Sequence, residues 1–381
     1  MAIEASLIWR SEWAAHCDRL LLADNAFLAD GRWMRAAEQA RGQGEIEIDP
    51  APWIQPTGQE PVALPVSQFR LPTVPIPGRF YPRMAFTSLA QSPRDMRATR
   101  LLDTAENTLH VDPNHPMAGH DVKLVFRSGP LEPTRGVRMI ELFDGPGMQA
   151  EPQKPAATYF SPAGFTRQDV ASDAVFYAQP RLSQHLDATC RAAIGDLYGR
   201  FLQPGMRVLD LMSSWVSHLP HLPESPADLQ VAGLGMNAEE LAANPCLSER
   251  VVQDLNQHTG LPWPDAAFDV VVCTASIEYL LNPAAVLLQV RRVLKPGGVF
   301  IVTFSDRWFP TKAINVWSEL HPFERLGLVL AWLKNAGFSD IHSETRRGLK
   351  RPEDDKYIDQ RLSADPLFAV WGSAPVTSPV T

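Results

Sequence analysis

The chain has 381 residues, 45% of them hydrophobic and 20% charged, which is enough to bury a sizeable core and makes two or three domains the expectation. A net charge of −8 excludes a generally basic nucleic-acid binder and leaves room only for a local basic patch. Cys17, Cys190, Cys246 and Cys273 are dispersed with no C-x-x-C pair, so neither a disulfide framework nor a thiolate zinc site is expected, and a reducing cytoplasm is the natural compartment.

No apolar run approaches the length of a membrane span, and "MAIEASLIWRSEW" carries Glu4 early, so the reading places no membrane segment and no signal peptide in the chain. Across residues 5–42, Trp9, Trp13, Leu20, Leu21, Phe27, Trp33 and Met34 recur among charges at near-helical spacing, which predicts two short amphipathic helices broken around Asp30 and Gly31. Pro50 to Arg83 is proline-rich and predicts only edge strands or irregular chain.

In "TLHVDPNHPMAGHDVKLVFRSG", residues 108–129, alternation before and after the turn predicts two strands joined by a tight connection. Within "DPNHPMAG" the connection has Pro113 and Pro116 to fix φ and Gly119 to permit a positive one. "GVRMIELF", residues 136–143, is a further strand candidate, followed by a looser stretch to about residue 175.

From Gln179 the chain alternates helix and strand. A helical stripe of Leu182, Leu186, Cys190, Ala193, Leu197 and Phe201 precedes the strand "RVLDL". Further strands are predicted at "LQVAGLG", "AFDVVVCTAS" and "GGVFIVTFS", with a helix over residues 283–295 that stops at Pro296-Gly297-Gly298. "FERLGLVLAWLKNAGFSDIHSE" adds one more helix and strand, and "SAPVTSPVT" reads as a frayed tail. The alternation predicts a doubly wound α/β domain whose ligand lies at the carboxyl ends of the strands.

Four stretches then fall in one order. "VLDLMSS" follows the first strand, "VVQDLN" comes after the second, and "LPWPDAAFDVVVCTASIEYL" and "VLKPGGVFIVTFS" lead through the next two. In this, residues 179 to about 345 resemble the class I S-adenosylmethionine-dependent methyltransferases, a Rossmann-like fold. The resemblance implies S-adenosylmethionine as cofactor. It assigns Asp210 to the cofactor's amino-acid end, the amides of Met212, Ser213 and Ser214 to its carboxylate, and Asp254 with the Leu255 amide to its adenine amine. Trp263 or Leu255 could line the adenine ring.

Two departures stand out. "MSSW" replaces the glycines that usually let backbone approach the ligand, and the prolines Pro220, Pro223 and Pro226 leave little room for a helix afterwards. Ser213, Ser214 and Ser217 can cap the short helix or donate in their place. At the end of the second strand Gly235 stands where the family has the acid that binds both ribose hydroxyls; Asn237 could bond one hydroxyl, while Glu239 and Glu240 fit a first helical turn better.

For the chemistry, the strand ends offer His218, Glu278 and Tyr279, and the "SDRWFPTK" loop brings Arg307 or Lys312 to hold an acidic substrate group. His218 could equally cap chain ends, and Tyr279 could equally wall the cofactor pocket. Arg181, His185 and Asp187 with Tyr177 form either a lid over the pocket or a solvated face.

In the N-terminal half, "VDPNHPMAGHDVKLVF" resembles the terminal signature of the SlyD family of FKBP-type prolyl isomerases, with Met117 in place of that signature's leucine. "GRFYPR" loosely fits an earlier strand of that family. His110, His115 and His120 read as turn or solvated histidines, and no metal site is predicted. The chain is thus read as an α+β module over residues 1–145, SlyD-like in part, a linker over 146–178 and a methyltransferase-like domain over 179–375. Methyl transfer to an unidentified small-molecule or protein acceptor is the leading expectation, with no nucleic-acid or membrane partner. A non-catalytic, chaperone-like binding protein of the same fold is the alternative.

Overall fold

The computed structural model describes residues 2–23, 26, 31–54, 60–150, 162–220 and 229–376. Its chain contacts divide into two units, Met1–Gly164 with Glu319–Leu328, and Phe165–Ser318 with Val329–Thr381.

The first unit opens with strands where helices were expected. β1 (Ala2–Arg10) and β2 (Ala14–Leu22) form an antiparallel hairpin in which Ile8 faces Cys17. The inward residues Ile3, Ala5, Leu7 and Trp9 recur every second position and are buried, so period two governs this stretch and the wider spacing of the tryptophans was coincidental. The later half of the helical expectation is met by α1 (Gly31–Gln43), which buries Trp33, Ala36, Ala37 and Ala40. Phe27 and the break at Asp30 lie outside the described residues.

β3 (Glu45–Ile48) pairs with a strand far along the chain, β8 (Val122–Gly129), which also pairs with β1 and completes a β2-β1-β8-β3 sheet. The intervening chain holds a short helix, α2 (Ala51–Ile54), and a second antiparallel sheet with its own core of Leu64, Phe86, Leu101, Leu109 and Val111. That sheet is made of β4 (Val62–Pro65), β5 (Phe80–Pro82), β6 (Ala98–Ala105) and β7 (Thr108–Asp112), in the order β4-β7-β6-β5. β4 and β5 end in prolines and lie at its two edges, where a missing N–H does not break a ladder.

The "DPNHPMAG" connection therefore does not close a hairpin: β7 belongs to the small sheet and β8 to the larger one. Asp112 accepts from the Asn114 backbone, and the His115 ring takes the Met117 N–H on Nδ1 at 3.1 Å while Nε2 lies 3.1 Å from the Phe143 carbonyl. Burial pushes the His115 pKa down to about 4, so the neutral ring works as a turn brace. Residues 136–143 are not a strand. Met139–Leu142 is a single 3₁₀ turn that buries Met139 and Leu142, and Glu141 accepts from the Arg138 N–H.

The second unit contains α3 (Asp173–Phe176), α4 (Ala188–Gly199), β9 (Arg207–Leu211), β10 (Gln230–Gly235), α5 (Ala238–Ala243) and β11 (Glu249–Val252). It continues through β12 (Phe268–Thr274), α6 (Pro283–Val293), β13 (Leu294–Phe304) and α7 (Asn315–Glu319), then from Val329 through the second half of α8 (Pro322–Asn335), whose first half belongs to the first unit, to β14 (Ser339–Arg347) and β15 (Leu367–Ser373). The strand order is β11-β10-β9-β12-β13-β15-β14. The first five strands are parallel, and β15 runs antiparallel between β13 and β14.

Val208, Val231, Val270, Val272, Ile301 and Ala369 of this sheet pack on Ile194, Leu197 and Tyr198 of α4. The chain moves outward from β9 to β10 and β11 and then returns to β12 on the other side, so the strand order reverses at β9. A crevice forms at such a reversal, outside the carboxyl ends of the strands. Among the described residues no helix is long and apolar enough to cross a membrane.

Candidate functional site

A cavity of about 490 Å³ opens at the carboxyl ends of β9 to β13, within the second unit. That volume falls in the range of small-molecule sites. Asp210, Met212, Ser213, Ser214, Asn237, Asp254, Leu255, Tyr177, His218 and Tyr279 all line it. Of the sequence-derived site residues, Glu278, Trp263 and Lys312 are exceptions. Glu278 is 1% exposed on the Ile277–Tyr279 turn and outside the cavity wall, so the structure does not bring its carboxylate to the cavity.

The loop after β9 reaches close packing without glycine. Met212 adopts a left-handed φ of 59° and His218 one of 53°, conformations that cost a side-chain-bearing residue about 1–2 kcal/mol each. Side-chain hydrogen bonds offset that cost. Ser213 Oγ donates to Asp210 at 2.5 Å, Ser214 Oγ to Glu240 at 2.5 Å, and buried Asn244 holds both the Ser214 carbonyl and Ser217 Oγ at 2.9 Å. No helix follows within residues 212–220, and Pro223 and Pro226 lie outside the described residues.

Ser213 also explains the glycine at the end of β10. Its N–H donates to the Leu234 carbonyl at 2.7 Å, and a Cβ at Gly235 would stand 2.1 Å from the Ser213 carbonyl oxygen. Backbone of the rebuilt loop thus fills the space a side chain at 235 would need. The Ser213 amide, committed to Leu234, is correspondingly not available to a cofactor carboxylate, which corrects its assignment.

Asn237 is likewise committed. Its Oδ1 caps α5, accepting from Glu239 N and Glu240 N, and its Nδ2 donates to the carbonyls of Tyr177 and Ala178. All its strong bonding capacity is spent, so it anchors the Tyr177 segment instead of binding a ribose. Asn237→Ala should cost about 1–2 kcal/mol of stability, the usual worth of an N-cap plus its buried partners, read by urea denaturation.

The acid nearest to the role vacated at 235 is Glu240, in the first turn of α5. It is 8% exposed, lines the cavity, and accepts from the Arg181 N–H at 2.7 Å and from Ser214 Oγ. Each carboxylate oxygen keeps a lone pair. Its only sequence signal was an acid five residues after Gly235, which also suits helix-dipole placement and so ranked low.

Asp254 presents a half-buried carboxylate, with Oδ1 accepting from the Asn256 N–H at 2.8 Å. Leu255 beside it is buried against the cavity. Trp263 does not line the cavity; its indole donates to Glu249 at 2.7 Å. Asn256, which the sequence reading passed over, ties the β11 end to its surroundings through Asp173 and the Tyr279 and Leu281 backbones.

On the other side of the reversal point, Tyr279 accepts the Phe309 N–H on its hydroxyl at 2.9 Å, and burial pushes its pKa well up, so it stays a neutral phenol. Burial pushes His218 down to about 4, leaving its ring neutral and only weakly basic. Burial and the nearby carboxylates of Asp173 and Glu278 raise Tyr177.

Arg181 and His185 line the cavity with Tyr177, whereas Asp187 caps α4 through the Cys190 N–H at 2.8 Å and joins a buried cluster with Arg351 and Asp365. Lys312 is fully buried between Asp169 and Asp173 and is not at the cavity, so it is structural. Arg307 does line the cavity. So do Lys356 and Tyr357 from the chain between β14 and β15, which carried no periodic signal in the sequence. Among the described residues no group of three or more histidine, cysteine or acidic side chains could hold a metal ion.

Residues 216–302, which include the ends of β10, β11 and β12 but begin after β9, match the methyltransferase domain family. That stretch of the chain is similar to a methyltransferase domain. Among curated relatives, a ubiquinone/menaquinone biosynthesis C-methyltransferase of Burkholderia cenocepacia is 36% identical over 84 residues, 22% of this chain and 32% of the relative. The corresponding protein of Laribacter hongkongensis is 27% identical over 137 residues, 34% of this chain and 54% of the relative.

The chain thus spans about a third of the length of the first of these relatives. Two solved structures are also similar. The [4+2]-cyclase SpnF is 18% identical, with 52% of this chain and 89% of that one covered at a TM-score of 0.35. A methyltransferase-like protein of Bacillus halodurans is 15% identical, with 49% and 100% covered at 0.34.

Proposed function

We propose that the protein transfers a methyl group from S-adenosylmethionine to an acceptor bound in the same cavity. The observation that carries this reading is the convergence of Asp210, Glu240 and Asp254 on one cavity at the strand-order reversal. Their chemistry fits the cofactor: one carboxylate for an ammonium, one for a ribose diol, one for an adenine amine, with Leu255 and Met236 as apolar wall. When bound, the cofactor supplies an electrophilic methyl group on its sulfonium. The chain's own part is to hold the acceptor in line and to exclude water, and His218 at the cavity wall is the proposed base for an acceptor that carries a proton, its basicity limited by burial.

Isothermal titration calorimetry with S-adenosylmethionine and S-adenosylhomocysteine tests the reading, and micromolar binding is the expected result. Glu240→Gln should weaken S-adenosylhomocysteine by about tenfold, the scale of one hydrogen bond to a charged group. Unchanged affinity would remove Glu240 from the ribose role. The packing of Ser213 against Gly235 favours a second reading, a non-catalytic binding protein of the same fold. No binding by folded, ligand-free protein would select it.

The first unit is proposed to be SlyD-like and to help present the acceptor. What supports the SlyD-like reading is the four-stranded insert between β3 and β8 and the return to the larger sheet through the Asn114-His115-Pro116 turn. A cytoplasmic site of action accords with four free cysteines, and the reading includes no nucleic-acid or membrane partner.

A further inference from the structure

We propose that the part of the cavity beyond the cofactor carboxylates takes a planar aromatic molecule bearing a carboxylate or phosphate; calling that molecule the methyl acceptor rests on the reading above. Its wall is aromatic. Tyr177, Tyr279, Trp308 and Phe309 all line the cavity, with ring centroids of Tyr279 and Phe309 6.0 Å apart and of His185 and Phe309 5.2 Å apart. Such faces and edges favour another flat ring.

The rim above that wall is cationic. The Arg181 guanidinium lies 4.3 Å from the Phe176 ring centroid and 5.4 Å from that of Phe309, and the Arg307 guanidinium lies 4.3 Å from that of Tyr357. Lys356 stands 5.0 Å from the same Tyr357 ring. Two of these cations, Arg181 and Lys356, are not neutralised locally, and Arg307 only shares Asp365 with Arg351. Asp173 is taken by Arg167 and Lys312, Asp306 by Arg361, and Asp365 by Arg351 at 2.5 Å, against 3.7 Å to Arg307.

Among the described residues neither Arg181 nor Lys356 has a carboxylate within ion-pair distance. The field is felt at His185: after burial, Lys356, Arg181 and Arg307 each push its pKa down, opposed by Glu240. A chain of net charge −8 has thus gathered three cations around one aromatic slot. Uncompensated guanidinium and ammonium groups at a partly enclosed mouth select an anion.

Calorimetry of the full chain with cinnamate and with its neutral isostere cinnamamide tests the proposal, and S-adenosylhomocysteine is titrated separately. Cinnamate should bind about tenfold tighter than cinnamamide, and Arg307→Gln with Lys356→Gln should reduce that difference to about threefold or less, the part left to Arg181. Cinnamamide binding and S-adenosylhomocysteine affinity should not move in the double variant, which also reports that it is folded. Equal affinities for acid and amide, no cinnamate binding at millimolar concentration, or an unaffected charge preference in the double variant would each overturn the proposal.

The two readings fail separately. Charge-selective cinnamate binding without any S-adenosylhomocysteine binding keeps the anionic aromatic site and removes methyl transfer; the reverse result does the opposite.

Discussion

Gly235→Ala is expected to destabilise the protein by about 3 kcal/mol, the upper end of the usual overpacking cost. The new Cβ would stand 2.1 Å from the Ser213 carbonyl oxygen and 3.1 Å from Leu241 Cδ2. The first neighbour is backbone, and it cannot give easily. The Ser213 N–H is held by Leu234 at 2.7 Å, and the next residue's carbonyl by buried Asn244 at 2.9 Å. Urea denaturation reads the effect, with Gly260→Ala as control, since nothing lies within 4 Å of a Cβ there.

A Gly235→Ala loss below about 1 kcal/mol would show that the loop yields and that its fit against β10 is not what keeps the position small. The expected loss ties the two departures from the methyltransferase pattern into one. A loop bearing side chains in place of glycines settles its Ser213 carbonyl where an acid at 235 would begin. Reinstating that acid alone, as Gly235→Asp, should therefore unfold the site instead of repairing it.

The α/β half was legible because period and punctuation agree there. "RVLDL", "AFDVVVCTAS" and "PAAVLLQVRRVLK" have buried runs and clear ends, and they form β9, β12 and α6. β11 and β15 were not foreseen. β11 is only four residues long and mostly exposed, with nothing in "ERVV" to separate it from loop, and β15 is recruited antiparallel by a β13 edge the sequence does not display.

The N-terminal hairpin was misread because His16 and Asp18 sit at buried positions, which broke the alternation that marks a strand. Trp9 explains them, donating to Asp18 at 2.9 Å and stacking on His16 at 4.0 Å. Within the site, Asp210 and Asp254 follow from strand ends, but the commitments of Asn237 and the Ser213 amide depend on long-range partners. So do the placements of Lys312 inside and Lys356 at the cavity. Chain order does not reveal which lysine finds a buried carboxylate first.

Asp210→Asn is expected to strengthen the fold and weaken the cofactor site together. Burial pushes the Asp210 pKa from 3.8 to about 7, partly countered by hydrogen bonds from Ser213 and Ser217. The folded form therefore binds a proton that the unfolded form has already released between those values. Unfolding free energy falls as pH rises through that window and is level above about 7.

A rise of that size corresponds to about 4 kcal/mol, an upper figure for what ionising this group costs the fold. Asn keeps an acceptor for Ser213 without that cost, so at alkaline pH the variant should be more stable than the parent by a few kcal/mol, and its stability should lose the slope below neutrality. A cofactor ammonium reverses the balance, because it pairs only with the ionised carboxylate. Affinity of the parent for S-adenosylhomocysteine should fall about tenfold for each pH unit below 7 and level off above it, with a proton released on binding.

In Asp210→Asn the affinity should be flat across that range and weaker by about 30-fold on the alkaline side, the loss of a charged hydrogen bond worth about 2 kcal/mol. A merely structural carboxyl would move stability and binding in the same direction. A parent affinity that does not change between about pH 5.5 and 7.5 would mean the ammonium lies elsewhere in the cavity, and the buried acid at the end of β9 would then belong to the loop alone.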